Sequence, residues 1–219
     1  MSDSRLKTKI RQLVRDYLAS EDFVLNNPRT TERRLTGLRQ FINFQPGSSH
    51  IAGRFTINVG WTFTLATPDD TAFHASRRIG DLAGGPDTWY SLAPDQIDEQ
   101  FARATALILR IALPYLQRYT SVESIVRSHE RGDLTIKQAF GPDRGWQLFH
   151  LGFCHAFLGR TNDAVSSLQA SFKTIPLNRT NGCNSEKLAP SRKSGASGTT
   201  TGSYVVTRRS SDQAVVFEA

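Results

Sequence analysis

Five apolar residues at every second position, Phe55, Ile57, Val59, Trp61 and Phe63, alternate with Arg54, Thr56, Asn58, Gly60 and Thr62. Side chains of a strand point to opposite faces in turn, so this run predicts a half-buried strand of an antiparallel sheet. Leu38, Ile42 and Phe44 share a parity across 38–45, and Pro46-Gly47-Ser48-Ser49 breaks the chain before the next strand. Phe23, Val24 and Leu25 read as a short extended piece ahead of the turn residues Asn26, Asn27 and Pro28. Together these segments predict a meander. Other stretches repeat at three and four. Leu6, Ile10, Leu13, Val14, Tyr17 and Leu18 predict an amphipathic helix over 5–19, capped by Ser4 or Asp3. Ile97, Phe101, Ala104, Ile108, Ile111 and Tyr115 predict a long helix over 94–117 whose seam packs on the sheet. Pro94 suits its first turn, and Pro114 kinks its end or begins a second short helix, with 121–128 continuing as the next.

The stretch from Trp146 to Pro176 carries a second pattern. Leu151, Gly152, Ala164 and Pro176 fall where a tetratricopeptide-type helix hairpin places its small and apolar residues, with Leu168 at the large apolar position of the second helix. Gly159-Arg160 makes the turn and Asn162 caps the second helix. One such hairpin cannot bury its own face, so it must dock on the preceding domain or on a partner. Beyond it, residues 176–219 hold 7 Ser, 5 Thr, 4 Gly and 3 Asn, with only Tyr204 and Phe217 as aromatics. Such a composition does not offset its ordering entropy and reads as a disordered tail; 204–207 and 214–217 could make a weak hairpin, although short apolar fragments in a polar tail are more often unstructured. The expected architecture is therefore α+β: an N-terminal helix, an antiparallel sheet of about three to five strands packed by a long helix, a helical hairpin and a disordered tail. The corresponding units are 1–130, 131–175 and 176–219.

Charge changes this picture little. Of the formal +7, residues 1–175 carry +4, from 21 Lys and Arg against 17 Asp and Glu, and residues 176–219 carry +3. A nucleic-acid face needs basic residues gathered on one side with aromatics between them, and most here are interleaved with acids. The tightest basic cluster, Arg29, Arg33, Arg34 and Arg39, is answered only by Glu32 and fits either a solvated strand face or a phosphate contact. No run of about 18 apolar residues exists, and the N-terminus lacks the apolar core of a secretory signal, so a cytoplasmic protein that does not span a membrane is expected. Two cysteines, Cys154 and Cys183, are too few for a disulfide framework and are expected to be reduced.

Candidate chemistry concentrates between Pro68 and Pro94, where the pattern is irregular and a long loop is expected. Arg77, Arg78, Asp81, Trp89 and Tyr90, with His74, could line an anion pocket or a partner-facing patch, because the Arg fork binds carboxylate or phosphate and Trp anchors interfaces. The competing reading is an Arg–Asp pair with a Trp lid closing the core. His150 and Cys154 have the spacing of two ligands on one helix face, yet no second cluster matches them, and His155 takes an aromatic packing position. Ser48-Ser49-His50 reads as a turn, and Asp69-Asp70 as a solvated turn rather than a metal site. No phosphate loop, dinucleotide fingerprint, nucleophile elbow or paired zinc motif occurs, so no cofactor, metal or catalytic residue is assigned.

The run from Phe23 through Arg127 resembles a family of small bacterial domains of unknown function, the one numbered four-three-zero-four. The resemblance rests on Phe41-Ile42-Asn43-Phe44-Gln45, Phe55-Thr56-Ile57-Asn58-Val59-Gly60, Arg77-Arg78-Ile79-Gly80-Asp81-Leu82, the Trp89-Tyr90 pair and Ala112-Leu113-Pro114-Tyr115-Leu116, in that order after an N-terminal helix. It covers roughly half the chain. It implies an α+β fold, a helical hairpin following the domain, and a bacterial-type cytosolic protein, and it supplies no catalytic residues. The function expected on these grounds is that of a non-enzymatic module that binds another protein, in one version an immunity or accessory protein to a toxin. The alternative is a small-anion or nucleic-acid binder, or a hydrolase, working through the loop from Arg77 to Trp89.

Overall fold

The computed structural model describes residues 2–63 and 74–174, together with the strand pairing of 204–206 with 215–217. Residues 1–179 form one compact unit and 180–219 a second. Helix α1 (Ser2–Leu13) opens the first unit, with a π turn at Val14–Leu18 and a 3₁₀ turn at Ala19–Glu21. Strands β1 (Val24–Asn27), β2 (Thr30–Leu35), β3 (Leu38–Pro46), β4 (Arg54–Phe63) and β5 (His74–Arg78) follow in spatial as well as sequence order, all antiparallel. After the single turn α2 (Ile79–Leu82), the two-residue strand β6 (Tyr90–Ser91) returns to pair with the start of β4. The expected meander is present as the five strands β1–β5, and β6 adds a sixth strand beside β4. β2 hides in the sequence because Thr31-Glu32-Arg33-Arg34 is almost wholly polar, although Thr31, Glu32 and Arg33 are all buried.

Helices cover one face of the sheet. α3 (Ile97–Leu107), a π turn at Ile108–Ala112 and α4 (Leu113–Arg118) run across it, placing Phe101 on Phe44 at 5.9 Å and Tyr115 on Trp61 at 5.6 Å between ring centroids. Register puts Leu38 opposite Phe63, Ile42 opposite Val59 and Phe44 opposite Ile57, so the apolar sets of β3 and β4 share this face. Both π turns correct the expected seams. Each adds a residue to the turn and rotates the next stretch of helix, so Leu18 is buried while Tyr17 is exposed, and Ala112 is buried while Ile111 is only half so. The second precedes Pro114, which has no N–H to continue the regular ladder. The expected caps also move: α1 begins at Ser2, so neither Asp3 nor Ser4 precedes it.

Four further helices follow. α5 (Val122–Glu130) starts on a reciprocal Ser121–Ser124 capping box, and α6 (Leu134–Phe140) on Asp133, whose carboxylate accepts the Thr135 N–H at 2.9 Å. α6 escaped the periodicity reading because seven residues make barely two turns. The hairpin is α7 (Arg144–Phe157) and α8 (Thr161–Thr174), turning at Gly159, with Asn162 inside the helix it was expected to cap. A Cβ on Gly152 would lie 2.6 Å from Leu168 Cγ and 3.3 Å from the Ala164 carbonyl, so only glycine lets the two helices meet. Gly152→Val should therefore cost about 1–3 kcal/mol by overpacking. Thermal unfolding of the variant checks it, an unchanged midpoint being the contrary result.

In the second unit, Tyr204–Val206 pairs antiparallel with Val215–Phe217. The expectation of disorder across the rest of 176–219 lies outside the described residues, as does Asp69-Asp70. Among the described residues, no helix is long and apolar enough to cross a membrane.

Candidate functional site

Strand β5 separates the two arginines that the sequence places side by side. Arg77 lies opposite Val59, on the helix-covered face, where its guanidinium donates to Gln138 Oε1 of α6 and its Nε stands 3.9 Å from Asp81. Arg78 lies opposite Asn58, on the other face, with Nε 3.9 Å from Asp87 and the guanidinium carbon 5.4 Å from the Trp89 ring centroid. Neighbours on a strand point apart, so the two guanidiniums do not converge on one anion. Asp87 is the hub of the outer group, accepting the Trp89 indole N–H at 3.0 Å and the Thr56 hydroxyl at 3.5 Å. Arg78 Nη1 is buried with no hydrogen-bond partner among the described residues.

The other predicted residues scatter. Tyr90 is 2% exposed, its ring stacked on Phe55 at 5.2 Å, and burial raises its hydroxyl pKa. It is a core residue of β6. His74 falls on β5 opposite Thr62. From His74 onward the expected irregular loop is instead a strand, a helical turn and a short return strand, disguised because Ala75 is the one apolar side chain that 75–78 bury. On α7, Cys154 is fully buried and its thiol is pushed well up by burial. His150 Nδ1 meets the Trp146 carbonyl at 2.9 Å. Among the described residues, no three His, Cys, Asp or Glu side chains group so as to hold a metal ion.

The basic cluster of β2 and β3 divides in the same way. Glu32, 3% exposed, draws Arg34 at 3.6 Å and Arg39 at 3.5 Å on the outer face. Arg33, 8% exposed, turns inward over the Phe23 ring at 5.0 Å and donates to Gln40 Oε1 at 2.7 Å. Burial lowers its pKa, with Glu21 and Asp22 opposing. Gln40, fully buried, in turn donates to the Leu116 and Tyr119 carbonyls, both at 2.8 Å. The end of α4 is thereby closed by a side chain from the sheet, a role that lies outside any local sequence signal.

A cleft of about 320 Å³ opens beside β5, where the end of α6 and the start of α7 come together. Ser76, Gln138, Phe140, Gly141, Trp146 and His150 line it. Gly141, at φ +138°, admits the close approach: a Cβ there would stand 2.6 Å from Trp146 Cβ. Trp146 remains 40% exposed, its indole edge-on to Phe149 at 5.6 Å, while Arg77 holds Gln138 from behind. The walls thus combine aromatic surface with a hydroxyl, a carboxamide and an imidazole. Sequence reasoning found Arg77 and the hairpin separately and missed the cleft, since Gln138 and Gly141 carry no motif. The chain matches no family model, no curated protein and no solved structure.

Proposed function

We propose that this chain is a non-enzymatic protein-binding module that receives an apolar or aromatic side chain of a partner protein in the cleft between β5, α6 and α7. The observation that carries this reading is Trp146, a large ring left 40% exposed at the mouth of a cleft whose other walls supply hydrogen-bonding groups. Partly exposed Trp residues beside satisfied polar groups are the usual anchors of protein interfaces. Membership of the bacterial family of unknown function and a cytoplasmic role as an immunity or accessory protein belong to the same proposal. Further exposed apolar side chains are Leu134 on α6, 70% exposed, and Val165 and Phe172 on α8, 45% and 69% exposed. A second reading, an anion or nucleic-acid contact, is favoured by the Arg78 side chain, 28% exposed and packed beside Trp89.

The test is an affinity capture from the source cell's lysate with the full chain as bait, as wild type and as Trp146→Ala, with and without nuclease. A stoichiometric protein that survives nuclease and falls at least about tenfold with Trp146→Ala supports the cleft, since an anchor Trp is worth about 2 kcal/mol or more. Equal retention by both baits overturns it. Nucleic acid that leaves with salt and with Arg78→Glu would establish the second reading instead.

A further inference from the structure

Behind the cleft, two histidines stack on one phenylalanine. His129 of α5 stacks on Phe140 with centroids 5.7 Å apart, and His150 of α7 stacks on the same ring at 5.2 Å. Phe140 also meets Phe63 of β4 edge-on at 6.3 Å, so the cluster ties α5, α6 and α7 to the sheet. His155, further along α7, is 7% exposed. His129 Nε2 and His155 Nδ1 are both buried with no hydrogen-bond partner among the described residues. A neutral imidazole leaves one ring nitrogen without a proton and tolerates such a place. An imidazolium carries N–H on both nitrogens and needs an acceptor for each.

The charges facing His129 reinforce the geometry. From α6 comes Lys137, from α7 His155, and from α5 itself Glu130, the one attractive group of the three. Glu130 is shared with Arg160, 3.6 Å away at the α7–α8 turn. On α7 the neighbour of His155 is Cys154, held as a neutral thiol by burial. A proton on His129 would therefore enter a desolvated contact already facing a lysine and a second histidine.

We propose that this histidine site is a pH switch: α7 stays docked, and the cleft stays formed, while His129 is neutral, and both are released when its ring gains a proton. Burial, then Lys137, lowers the His129 pKa below the ordinary imidazole value. A group with a lowered folded-state pKa of this kind leaves stability intact above its unfolded value and removes it as pH falls, here from about pH 6.5 downward. As control of partner binding, the switch rests on the cleft reading. The release of α7 needs no partner and is measured on the chain alone, so the two fail separately.

Hydrogen exchange of the full chain at about pH 7.5 and about pH 5, expressed as protection relative to the intrinsic rate at each pH, tests it. The expected result is a loss of protection in α7 and α8 of about tenfold or more, with β3 and β4 unchanged, and no such loss in the double variant His129→Gln, His155→Gln. Equal protection of the wild-type hairpin at both values, or the same acid loss in the double variant, overturns the proposal. Should the double variant not fold, an NMR titration of the wild-type rings decides: a His129 pKa at or above the free-imidazole value of about 6.5 also overturns it.

Discussion

Replacing Gln40 by leucine should lower the unfolding midpoint by about 10 °C. The carboxamide is fully buried on the helix-covered face of β3 and makes three hydrogen bonds, accepting from Arg33 and donating to the carbonyls of Leu116 and Tyr119. Leucine fills similar volume and satisfies none of them. It leaves the buried guanidinium with the Glu21 backbone carbonyl at 3.3 Å, the Glu21 carboxylate at 3.6 Å and the Phe23 ring, and it offers no donor to the two helix-end carbonyls. Leaving a buried donor or acceptor without its partner costs about 1–3 kcal/mol, Gln40→Leu strands three such groups, and a unit of this size loses roughly 2–4 °C per kcal/mol. A double variant, Gln40→Leu with Arg33→Met, removes the stranded charge as well and should recover part of the loss. Differential scanning calorimetry of the two variants and the wild type measures both effects. A Gln40→Leu midpoint within about 3 °C of wild type would show that the network carries no stability.

Gly60→Val should prevent β5 from pairing and destabilise the chain by about 4 kcal/mol or more. Gly60 sits opposite Phe41 on β3 and Ser76 on β5. A Cβ there would lie 2.0 Å from the Ala75 carbonyl oxygen and 2.7 Å from Ser76 Cα, both backbone atoms that cannot turn aside as a side chain can. Losing β5 also misplaces Arg77, Ser76 and the wall of the cleft, so partner capture should fall together with stability. Gly85→Ala serves as the control, because its nearest neighbour to a new Cβ is 3.9 Å away, and it should stay within about 0.5 kcal/mol of wild type. Denaturant unfolding with hydrogen exchange at the β4 and β5 amides reads the result. Intact protection of β5 in Gly60→Val would mean that the strands separate more easily than this packing requires.

Much of the fold was legible because it is written in local periodicity. The alternation from Phe55 to Phe63 made β4, and the three-and-four spacing of Leu6, Ile10 and Leu13 made α1, since each pattern has one secondary structure that gathers its apolar residues on one face. Gly152 and Ala164 announced the close crossing of α7 and α8. The candidate site was legible only in pieces. Arg77, Arg78 and Trp89 were visible as residues able to do chemistry, but their grouping depended on reading 68–94 as a loop. Once 74–78 is a strand, Arg77 and Arg78 must face opposite ways, and the site reorganises around the groups each then meets, Gln138 on one side and Asp87 with Trp89 on the other.

By itself, then, the sequence determined the α+β class, the order of the main helices and strands, and the helical hairpin, because burial of an apolar stripe is decided by neighbours three, four or two residues away. Only the tertiary structure decided the roles of Gln40, Arg33 and Glu32, the shifted seams after the two π turns, the cleft at Trp146 and the histidine contact at Phe140. Each of these depends on groups that lie across the fold: Gln40 meets carbonyls 76 and 79 residues further along the chain. A polar side chain carries no mark of being buried until the partner that satisfies it, or fails to, has been brought alongside.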